Sequence, residues 1–249
     1  MIQETIKRSA GDLTQRLISN TALGKMWYDL SEANPGATNP YHNNAHMFSV
    51  ASIAGMLFEA SENFKLMSEA ERQFNLLILI TAGMWHDYAH SAGLEDDHTN
   101  IQTALLGFRL WITANWSSVS PMFRQHVLIP CSTMYLLNDV ITRVSNVIRV
   151  TEFPFVREPK DILQSCIRDA DLLYTFAENT GPIVHGLYLE LKQAGKFPDS
   201  LTFSHFMDKQ AEFLNSCYHY TEVGKFLHQT NSVDVLRRQM EWAHDQGFM

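Results

Sequence analysis

The chain is poor in cysteine, and its three cysteines, Cys131, Cys166 and Cys217, lie far apart. No CxxC pair is present, and an odd number of scattered thiols argues against both a disulfide framework and a thiolate zinc site. Reduced thiols are typical of the cytoplasm, so we expect a cytoplasmic protein.

Glycine and proline are also scarce, at 12 and 8 of 249 residues, whereas hydrophobic residues make up 45%. This balance is typical of a helix-rich globular protein. Apolar residues recur at helical spacing, and alternating strand-like runs are almost absent. We therefore predict an all-α helical bundle of about seven to ten helices, in a single domain over residues 1–249.

Turn-forming residues cluster at six places, where we predict that helices are interrupted. The sequence around residues 180–182 resembles a helix end followed by a proline-led restart. Asp199 and Ser200 offer capping oxygens for the next helix. The six predicted breaks are 34–40, 93–97, 117–121, 154–159, 181–182 and 195–199.

Long apolar runs and positive charge are lacking too. The longest apolar stretch, residues 76–85, is too short to cross a bilayer, and the first residues lack a secretory apolar core. We expect a buried helix there and no membrane association.

The chain also lacks an excess of positive charge. A formal net charge of −8 without a basic patch disfavours binding to a nucleic-acid duplex. Neither a GxSxG elbow nor a phosphate-binding GxxxxGK[ST] loop is present.

Histidine is plentiful, and five of the eleven histidines lie between residues 42 and 98. Four of them form two pairs with a spacing of four, His42/His46 and His86/His90, and on helices each pair would present one face. Asp87 directly follows His86, so an imidazole and a carboxylate can reach a shared ion. Mixed nitrogen and oxygen ligands suit zinc, manganese, iron or magnesium-like ions.

A further carboxylate ligand is expected from the predicted helix at residues 167–173, which carries Asp169 and Asp171. Residues two apart on a helix point in nearly opposite directions. Only one of the two can therefore face the ion, and the spacing alone leaves open which one.

Four ordered motifs resemble those of the HD-domain superfamily of metal-dependent phosphohydrolases, most closely the class I cyclic-nucleotide phosphodiesterases. Residues 41–46, YHNNAH, resemble the YHNxxH signature, and residues 86–90, HDYAH, resemble HDxxH. Residues 147–153, VIRVTEF, are similar to the segment ending in Thr-Asp-Met, and residues 170–172, ADL, to the family's Ala-Asp-Leu. The likeness runs from about residue 41 to residue 213.

The resemblance implies an HD-type helical bundle and two divalent metal ions, such as Zn, Mn, Mg or Fe. It assigns His46, His86, Asp87 and Asp171 to the first ion, with Asp87 also reaching the second through a bridging position. It thereby selects Asp171 over Asp169.

Residues near the metal ligands are expected to transfer protons and to orient the attacking water. Asp87 and His90 would take part in catalysis, and His90 and Thr151 would orient metal-bound water. His42 lies one turn from His46 and can protonate the leaving oxygen if a nearby carboxylate holds it as an imidazolium. We therefore expect His42 to be the general acid.

The resemblance also implies substrate contacts. Gln210 and Phe213, spaced Q-x-x-F, match the glutamine and aromatic clamp that grips the purine, and Tyr41 of the first motif is a further substrate-binding candidate. Other aromatics compete with Phe213, namely Phe153, Phe203 and Phe206. The chain departs from the family after residues 170–172, where the expected Ser-Asn is absent, and at residues 91–93, where SAG replaces a glycine-proline turn.

Three functions follow as hypotheses. In the leading one, a hydroxide bridging two metals attacks a 3′,5′-cyclic nucleotide, His42 protonates the 3′-oxygen, and a 5′-nucleotide leaves. The alternative is an HD-type nucleotidase or (deoxy)nucleotide triphosphohydrolase, which needs basic residues near the site. A nucleotide-binding module without turnover is the third. The partner is a small nucleotide in each case, and a homo-oligomer is left open. The candidate basic residues are Arg109, Arg124, Arg143, Arg149 and Arg157.

Overall fold

The computed structural model describes residues 2–127, 131–198 and 200–248, and the regular elements within these ranges are all helical. The predicted all-α fold is confirmed. The described helices are α1 (Ile2–Ser19), α2 (Thr21–Ala33), α3 (Asn44–Glu59), α4 (Glu62–Leu66), α5 (Glu69–Trp85), α6 (Asp97–Arg124), α7 (Thr133–Ile148), α8 (Ile162–Leu173), α9 (Thr180–Gln193), α10 (Phe203–Ser216) and α11 (Glu222–Asp245), with a 3₁₀ turn at Tyr174–Phe176.

Short polar side chains begin most of these helices. Asn43 caps α3 by accepting hydrogen bonds from the amides of Ala45 and His46, and a reciprocal capping box joins Ser68 and Glu71 at the start of α5. The cap predicted at Ser200 is wrong, because the hydroxyl of Thr202 caps α10. Asp199 lies outside the described residues.

One predicted break is wrong: α6 continues through residues 117–121. Pro121 lies in its last turn and leaves the carbonyl of Ser117 without an i→i−4 amide partner, but the flanking Val119, Met122 and Phe123 are buried in the core. The other five breaks coincide with helix ends, and Pro182 lies in the first turn of α9. The described residues therefore form eleven α-helices, more than the predicted seven to ten.

The centre of the fold is the close packing of α3 against α5, with α1 and α8 on α3 and α7 on α5. A Cβ atom at Gly83 would lie 2.5 Å from the Cα atom of Ala51. Glycine therefore lets the two backbones touch. Residues 76–85 are all buried, which confirms the buried helix predicted for them. No helix in the described ranges has the length and apolar character needed to cross a bilayer.

A smaller apolar cluster joins α9, α10 and α11. It includes Tyr188 of α9 and Phe203 and Phe206 of α10, whose rings lie 5.3 to 6.1 Å apart. α9 and α11 contact the 3₁₀ turn, α11 also contacts α8, and α10 packs on α9 and α11. α9 and α10 form one wall of a cleft, and the loops around residues 41–42, 90–98 and 152–156, with the end of α8, form the rest.

Candidate metal centre and substrate cleft

The two histidine pairs lie at helix ends and not along helix faces. α3 begins at Asn44, so His42 precedes it, and α5 ends at Trp85, so His86 is its C-cap and His90 lies in the following turns. The expectation that each pair shares one helical face is therefore wrong. Capping by Asn43 sets the start of α3, and a left-handed residue, Ala89 at φ 59°, turns the chain after α5.

Two asparagines hold the loop before α3 against the turn after α5. The side-chain oxygen of Asn34 accepts from the amide of Ala89 at 2.9 Å. The amide nitrogen of Asn39 donates to the carbonyls of His90 at 2.8 Å and His42 at 3.1 Å. A left-handed alanine costs about 1–2 kcal/mol and persists where its surroundings fix it. These bonds bring the two histidine segments together.

Two imidazoles and two carboxylates converge at the buried ends of α3, α5 and α8. The Nε2 atoms of His46 and His86 lie 3.2 Å apart. The Oδ2 atom of Asp87 lies 3.0 Å and 3.1 Å from them, and the Oδ1 atom of Asp171 lies 3.3 Å and 3.8 Å from them. The ligand atoms of His46, His86 and Asp171 thus form a group able to hold a metal ion.

These separations fit donors around one cation. Ligand atoms about 2.1 Å from an ion lie roughly 3.0 Å apart at octahedral angles and 3.4 Å apart at tetrahedral angles. The Nδ1 atom of His86 donates to the carbonyl of Gly83 at 2.8 Å, which leaves the lone pair of a neutral ring on Nε2, facing the cluster. The Nδ1 atom of His46 is buried without a hydrogen-bond partner among the described residues. The residues present therefore fit a divalent ion.

The charges of the cluster shift its pKa values strongly. Burial lowers the pKa of His46, but the carboxylates of Asp171 and Asp87 outweigh burial and raise it to about 9. Burial raises the pKa of Asp87, and the neighbouring His86 and His46 outweigh it and hold that pKa well below the ordinary value. Without a cation, the cluster therefore retains a proton on His46 at neutral pH.

Asp169 points away from this cluster. It is fully buried and accepts hydrogen bonds from the amide of Tyr220 at 2.9 Å and from the amide and hydroxyl of Thr221, both at 2.7 Å. Asp171, two residues on, faces the imidazoles. The opposite directions of the two carboxylates follow from the helical spacing, and Asp169 ties α8 to the start of α11.

His42 has a buried carboxylate partner, Glu190 of α9. The Nδ1 atom of His42 lies 2.6 Å from Oε2 of Glu190, whose Oε1 accepts from the amides of Tyr41 at 2.6 Å and His42 at 2.8 Å. Burial raises the pKa of Glu190, but the hydrogen bond and charge of His42 outweigh it and lower the pKa. For His42, burial and the charge of His90 lower the pKa more than Glu190 raises it.

His90 stacks on His42, with ring centroids 3.7 Å apart. Its Nδ1 atom accepts from the amide of Ala92 at 3.1 Å, and its Nε2 atom lies 3.1 Å from the side-chain nitrogen of Asn100. Thr151 is buried, and its hydroxyl donates to the carbonyl of Ile148 at 2.8 Å. The role of Thr151 in orienting water stays a prediction.

A cleft of about 760 Å³ opens beside Asp171 and His42. Tyr41, Gln210 and Phe213 all line it. Gln210 is 4% exposed, and its Nε2 atom has no hydrogen-bond partner in the described ranges. Burial, followed by the charge of Asp171, raises the pKa of Tyr41 well above its ordinary value, so its hydroxyl keeps its proton.

The three aromatic residues that compete with Phe213 as the partner of the base do not all lie in the cleft. Phe153 and Phe206 also line the cleft, and the ring of Phe153 lies 6.1 Å from that of Phe213. Phe203 is instead packed in the smaller apolar cluster. None of the five candidate arginines is among the described residues that line the cleft.

Two further residues of the site, Glu190 and Tyr174, were not predicted from the sequence. Tyr174 is buried, with its ring centroid 4.6 Å from that of His46, and burial raises its pKa to about 12. A single acidic residue between Leu189 and Leu191 is the one signal that marks Glu190. It identifies a buried carboxylate without naming its partner.

A scan against protein-family models finds no match for the chain, and a search of curated proteins finds none either. The resemblance to phosphodiesterase motifs remains an expectation. The case for a function depends on the motifs and on the geometry of the cleft.

Proposed function

We propose that the chain is a metal-dependent phosphodiesterase of the HD type that hydrolyses a 3′,5′-cyclic nucleotide to a 5′-nucleotide. One observation carries the proposal: His46, His86, Asp87 and Asp171, from three distant segments, converge beside a cleft that also holds a histidine bound to a buried carboxylate. The order of the four motifs adds support.

The ligand set defines what the chain contributes to metal binding. His46, His86, Asp87 and Asp171 would hold one divalent ion, and Asp87 would reach a second. Bound ions of this kind generate hydroxide from water at neutral pH and neutralise charge on the phosphate. Tyr41, which keeps its phenolic proton, lies where it can donate a hydrogen bond to the substrate.

His42 would deliver the proton that the leaving oxygen needs. Because Glu190 is ionised and accepts from Nδ1 of His42, the second proton of the imidazolium is carried by Nε2. Glu190 also holds the backbone of residues 41–42 through two amide hydrogen bonds, and the ring itself through its Nδ1 atom. Gln210 and Phe213 would hold the base, since Gln210 offers an unpaired amide and Phe213 an aromatic face.

The nucleotidase and triphosphohydrolase alternative gains no support from the arginines. Arg143 pairs with Asp139, and Arg149 bonds to Asn146. A module without turnover does not explain why His42 retains a buried carboxylate partner. We therefore favour the diesterase over both.

A substrate panel tests the proposal. Purified protein is assayed with Mn²⁺, Mg²⁺ and Zn²⁺ against cyclic mononucleotides, cyclic dinucleotides, nucleoside monophosphates and nucleoside triphosphates. We expect release of a 5′-monophosphate from a cyclic mononucleotide. Release of phosphate or polyphosphate from the mono- or triphosphates alone would instead favour the nucleotidase alternative.

Removal of the ligands tests the metal centre. The double variant H86A/D87A should lose both bound metal and turnover, measured by elemental analysis and by assay. The chain provides a matched control, because His244 and Asp245 form a second adjacent His-Asp pair with side chains 81% and 77% exposed. H244A/D245A should keep both. Full activity after exhaustive chelation would contradict the proposal.

A further inference from the structure

One arginine is buried behind the lining of the cleft without a carboxylate in contact with it. Arg168 belongs to α8, three residues before Asp171, and is 1% exposed. Within the described ranges its guanidinium forms hydrogen bonds and a ring contact but no ion pair. An arginine stays charged inside proteins, and burying a charge is costly unless its donors are satisfied. The contacts that satisfy Arg168 therefore indicate what it does.

The donors of Arg168 hold both ends of one loop. Its Nε atom donates to the carbonyl of Val150 at 2.5 Å, and its Nη2 atom donates to the carbonyl of Arg157 at 2.7 Å. Both donors lie on one edge of the planar guanidinium, whose fork has a fixed geometry. One side chain thus closes residues 150–157, in the connection between α7 and α8, into a loop of defined width.

The face of the same guanidinium lies against an aromatic ring. Its central carbon lies 3.7 Å from the ring centroid of Phe155, a cation–π contact. The ring of Phe155 lies 5.2 Å from that of Phe153 and edge-on to it, and the ring of Phe153 lies 6.1 Å from that of Phe213. A row of three aromatic rings therefore runs from Arg168 to the residue proposed to hold the base.

Burial in the core does not fix this loop. Residues 152–156 all line the cleft, and Phe153 is 53% exposed. Two contacts with the start of α6 hold the middle of the loop. The amide of Phe153 donates to Oδ2 of Asp97 at 2.5 Å, and Oε1 of Glu152 lies 3.0 Å from Nδ1 of His98. The bonds to the buried guanidinium hold the two ends.

We infer that Arg168 is a positioning residue for the base: it holds residues 150–157 as an aromatic wall beside Phe213 and thereby sets the affinity of the cleft for a nucleotide. The inference rests on the proposed diesterase function and adds a residue that determines substrate binding without touching the reacting atoms. α8 carries Arg168 and Asp171 one turn apart. One helix therefore supports the wall and offers a ligand at the metal-binding end.

Inhibition constants test the positioning role in the Mn²⁺-loaded protein. In R168M the loop must be ordered by the bound base, so KM for 3′,5′-cyclic AMP and Ki for 5′-AMP should rise about tenfold. Ki for inorganic phosphate, which has no base, should stay within about twofold, kcat within about threefold, and bound metal at the parental amount. A purely structural role would instead change phosphate binding and bound metal as well.

The variant R168K decides between geometry and charge. It keeps the buried charge, which protects the fold if R168M is unstable, but an ammonium group lacks the fork that reaches both carbonyls. R168K should therefore show the same selective rise in KM and Ki. Hydrogen exchange should be faster in residues 150–157 and unchanged in the core helix at residues 76–85. R168K with parental constants and parental exchange would overturn the inference.

Arg72 provides a matched control away from the cleft. Its Nε and Nη2 atoms donate to the carbonyls of Phe64 at 2.8 Å and Lys65 at 2.9 Å, and its guanidinium lies 5.0 Å from the ring centroid of Phe64. R72M and R72K therefore remove the same kind of contact from a loop that does not line the cleft. Both should leave Ki for 5′-AMP within about twofold of the parent. An equal rise in these controls would show a general loss of stability and overturn the inference.

Calorimetric binding separates this inference from the proposed function. If R168K weakens the binding of 5′-AMP but not that of phosphate while no nucleotide is cleaved, the positioning role stands and the diesterase proposal fails. If cyclic AMP is cleaved with the same KM by the parent and by R168K, the diesterase proposal stands and the positioning role is wrong.

Discussion

At the scale of single residues, His42 is subject to opposing influences. Burial and the charge of His90 lower its pKa, and the hydrogen bond to Glu190 offsets part of that effect. The result is an imidazole whose pKa lies below the ordinary value of about 6.5. Such a group gives up its proton readily but is protonated only in acidic solution.

This balance predicts a pH dependence that varies with the leaving group. For a substrate with a poor alkoxide leaving group, kcat/KM should fall as the pH rises through the His42 pKa, below 6.5, because the acid form disappears. A p-nitrophenyl diester needs no proton and should not show the fall. The measurement is a pair of pH-rate profiles.

The variant H42A supplies the control. It should retain bound metal, slow the alkoxide substrate strongly and slow the p-nitrophenyl diester only slightly. Loss of metal from H42A to the extent seen in H86A/D87A would contradict the assignment of His42 as the acid.

The sequence predicted best those site residues that belong to short local motifs, and it could not predict contacts between residues far apart in the chain. The convergence of His46, His86 and Asp87 could be predicted from the resemblance of their motifs, and that of Asp171 from the Ala-Asp-Leu segment. Glu190 could not be paired with His42, because 148 residues separate them and only the packing of α9 brings them together. The same holds for Asn100 and His90, since the α5–α6 connection decides that contact.

At the scale of helices, the position of α8 depends on Asp169, a carboxylate that does not face His46 and His86. Asp169 accepts hydrogen bonds from the two residues just before α11, and a Cβ atom at Gly224 would lie 2.5 Å from its Oδ2 atom. Thr221 both donates to Asp169 and caps α11 by accepting from the amide of Gly224 at 2.9 Å. This anchor fixes the rotation of α8 and hence the direction of Asp171.

Replacing Asp169 with asparagine should therefore affect both stability and metal binding. D169N turns an acceptor for three donors into one that also presents its own donor, which should cost about 2–3 kcal/mol of unfolding free energy. We also expect weaker metal affinity, measured by competition with a chromophoric chelator.

The surface pair of Asp139 and Arg143 provides the comparison. D139N removes an exposed salt bridge and should cost less than about 1 kcal/mol, with metal affinity unchanged. If D169N is less stable but binds metal as tightly as the parent, the anchor serves stability alone.

Helix boundaries are the feature that the spacing of apolar residues and histidines predicts least well. Five of six predicted breaks were right because Gly, Pro and Asn have local conformational preferences. The break at 117–121 was wrong because burial of the residues around Pro121 outweighs the lost hydrogen bond. Residues 42–46 and 86–90 have helical spacing, yet capping and the left-handed Ala89 place them at helix ends.

At the scale of the whole molecule, the cluster of His46, His86, Asp87 and Asp171 lies where α3, α5 and α8 meet at the centre of the fold. The fold class could be predicted because apolar periodicity and scarce turn residues act over the whole chain. The cleft wall from α9 and α10 could not, since its residues are distinguished only by how α9 packs on the 3₁₀ turn and how α10 packs on α9 and α11.

Loading with metal should raise stability in a pH-dependent way. In metal-free protein, the His46 pKa of about 9 exceeds its unfolded value near 6.5. Its stabilising contribution is therefore complete below pH 6.5 and is lost as the pH rises through 9. The Tm of metal-free protein should fall over this range.

Metal binding should displace the His46 proton between these pH values. At a thousandfold excess over Kd, metal should add about 4 kcal/mol, which raises Tm by roughly 10 °C for a chain of this size. Calorimetry in buffers of different ionisation enthalpy measures the released proton. Equal binding enthalpies in all buffers at pH 8 would contradict the proton displacement.

The contact between Gly83 and Ala51 has a consequence for how such a chain can diversify. The spacing of the two imidazoles depends on backbones that already touch, so any larger residue at either position must push the helices apart. We therefore expect substitutions to accumulate at the rim of the cleft, where Phe153 and Val156 are exposed. New substrate specificities would arise there through single substitutions. The ion-binding end would stay unchanged, because there is no room for even one methyl group between the backbones of α3 and α5.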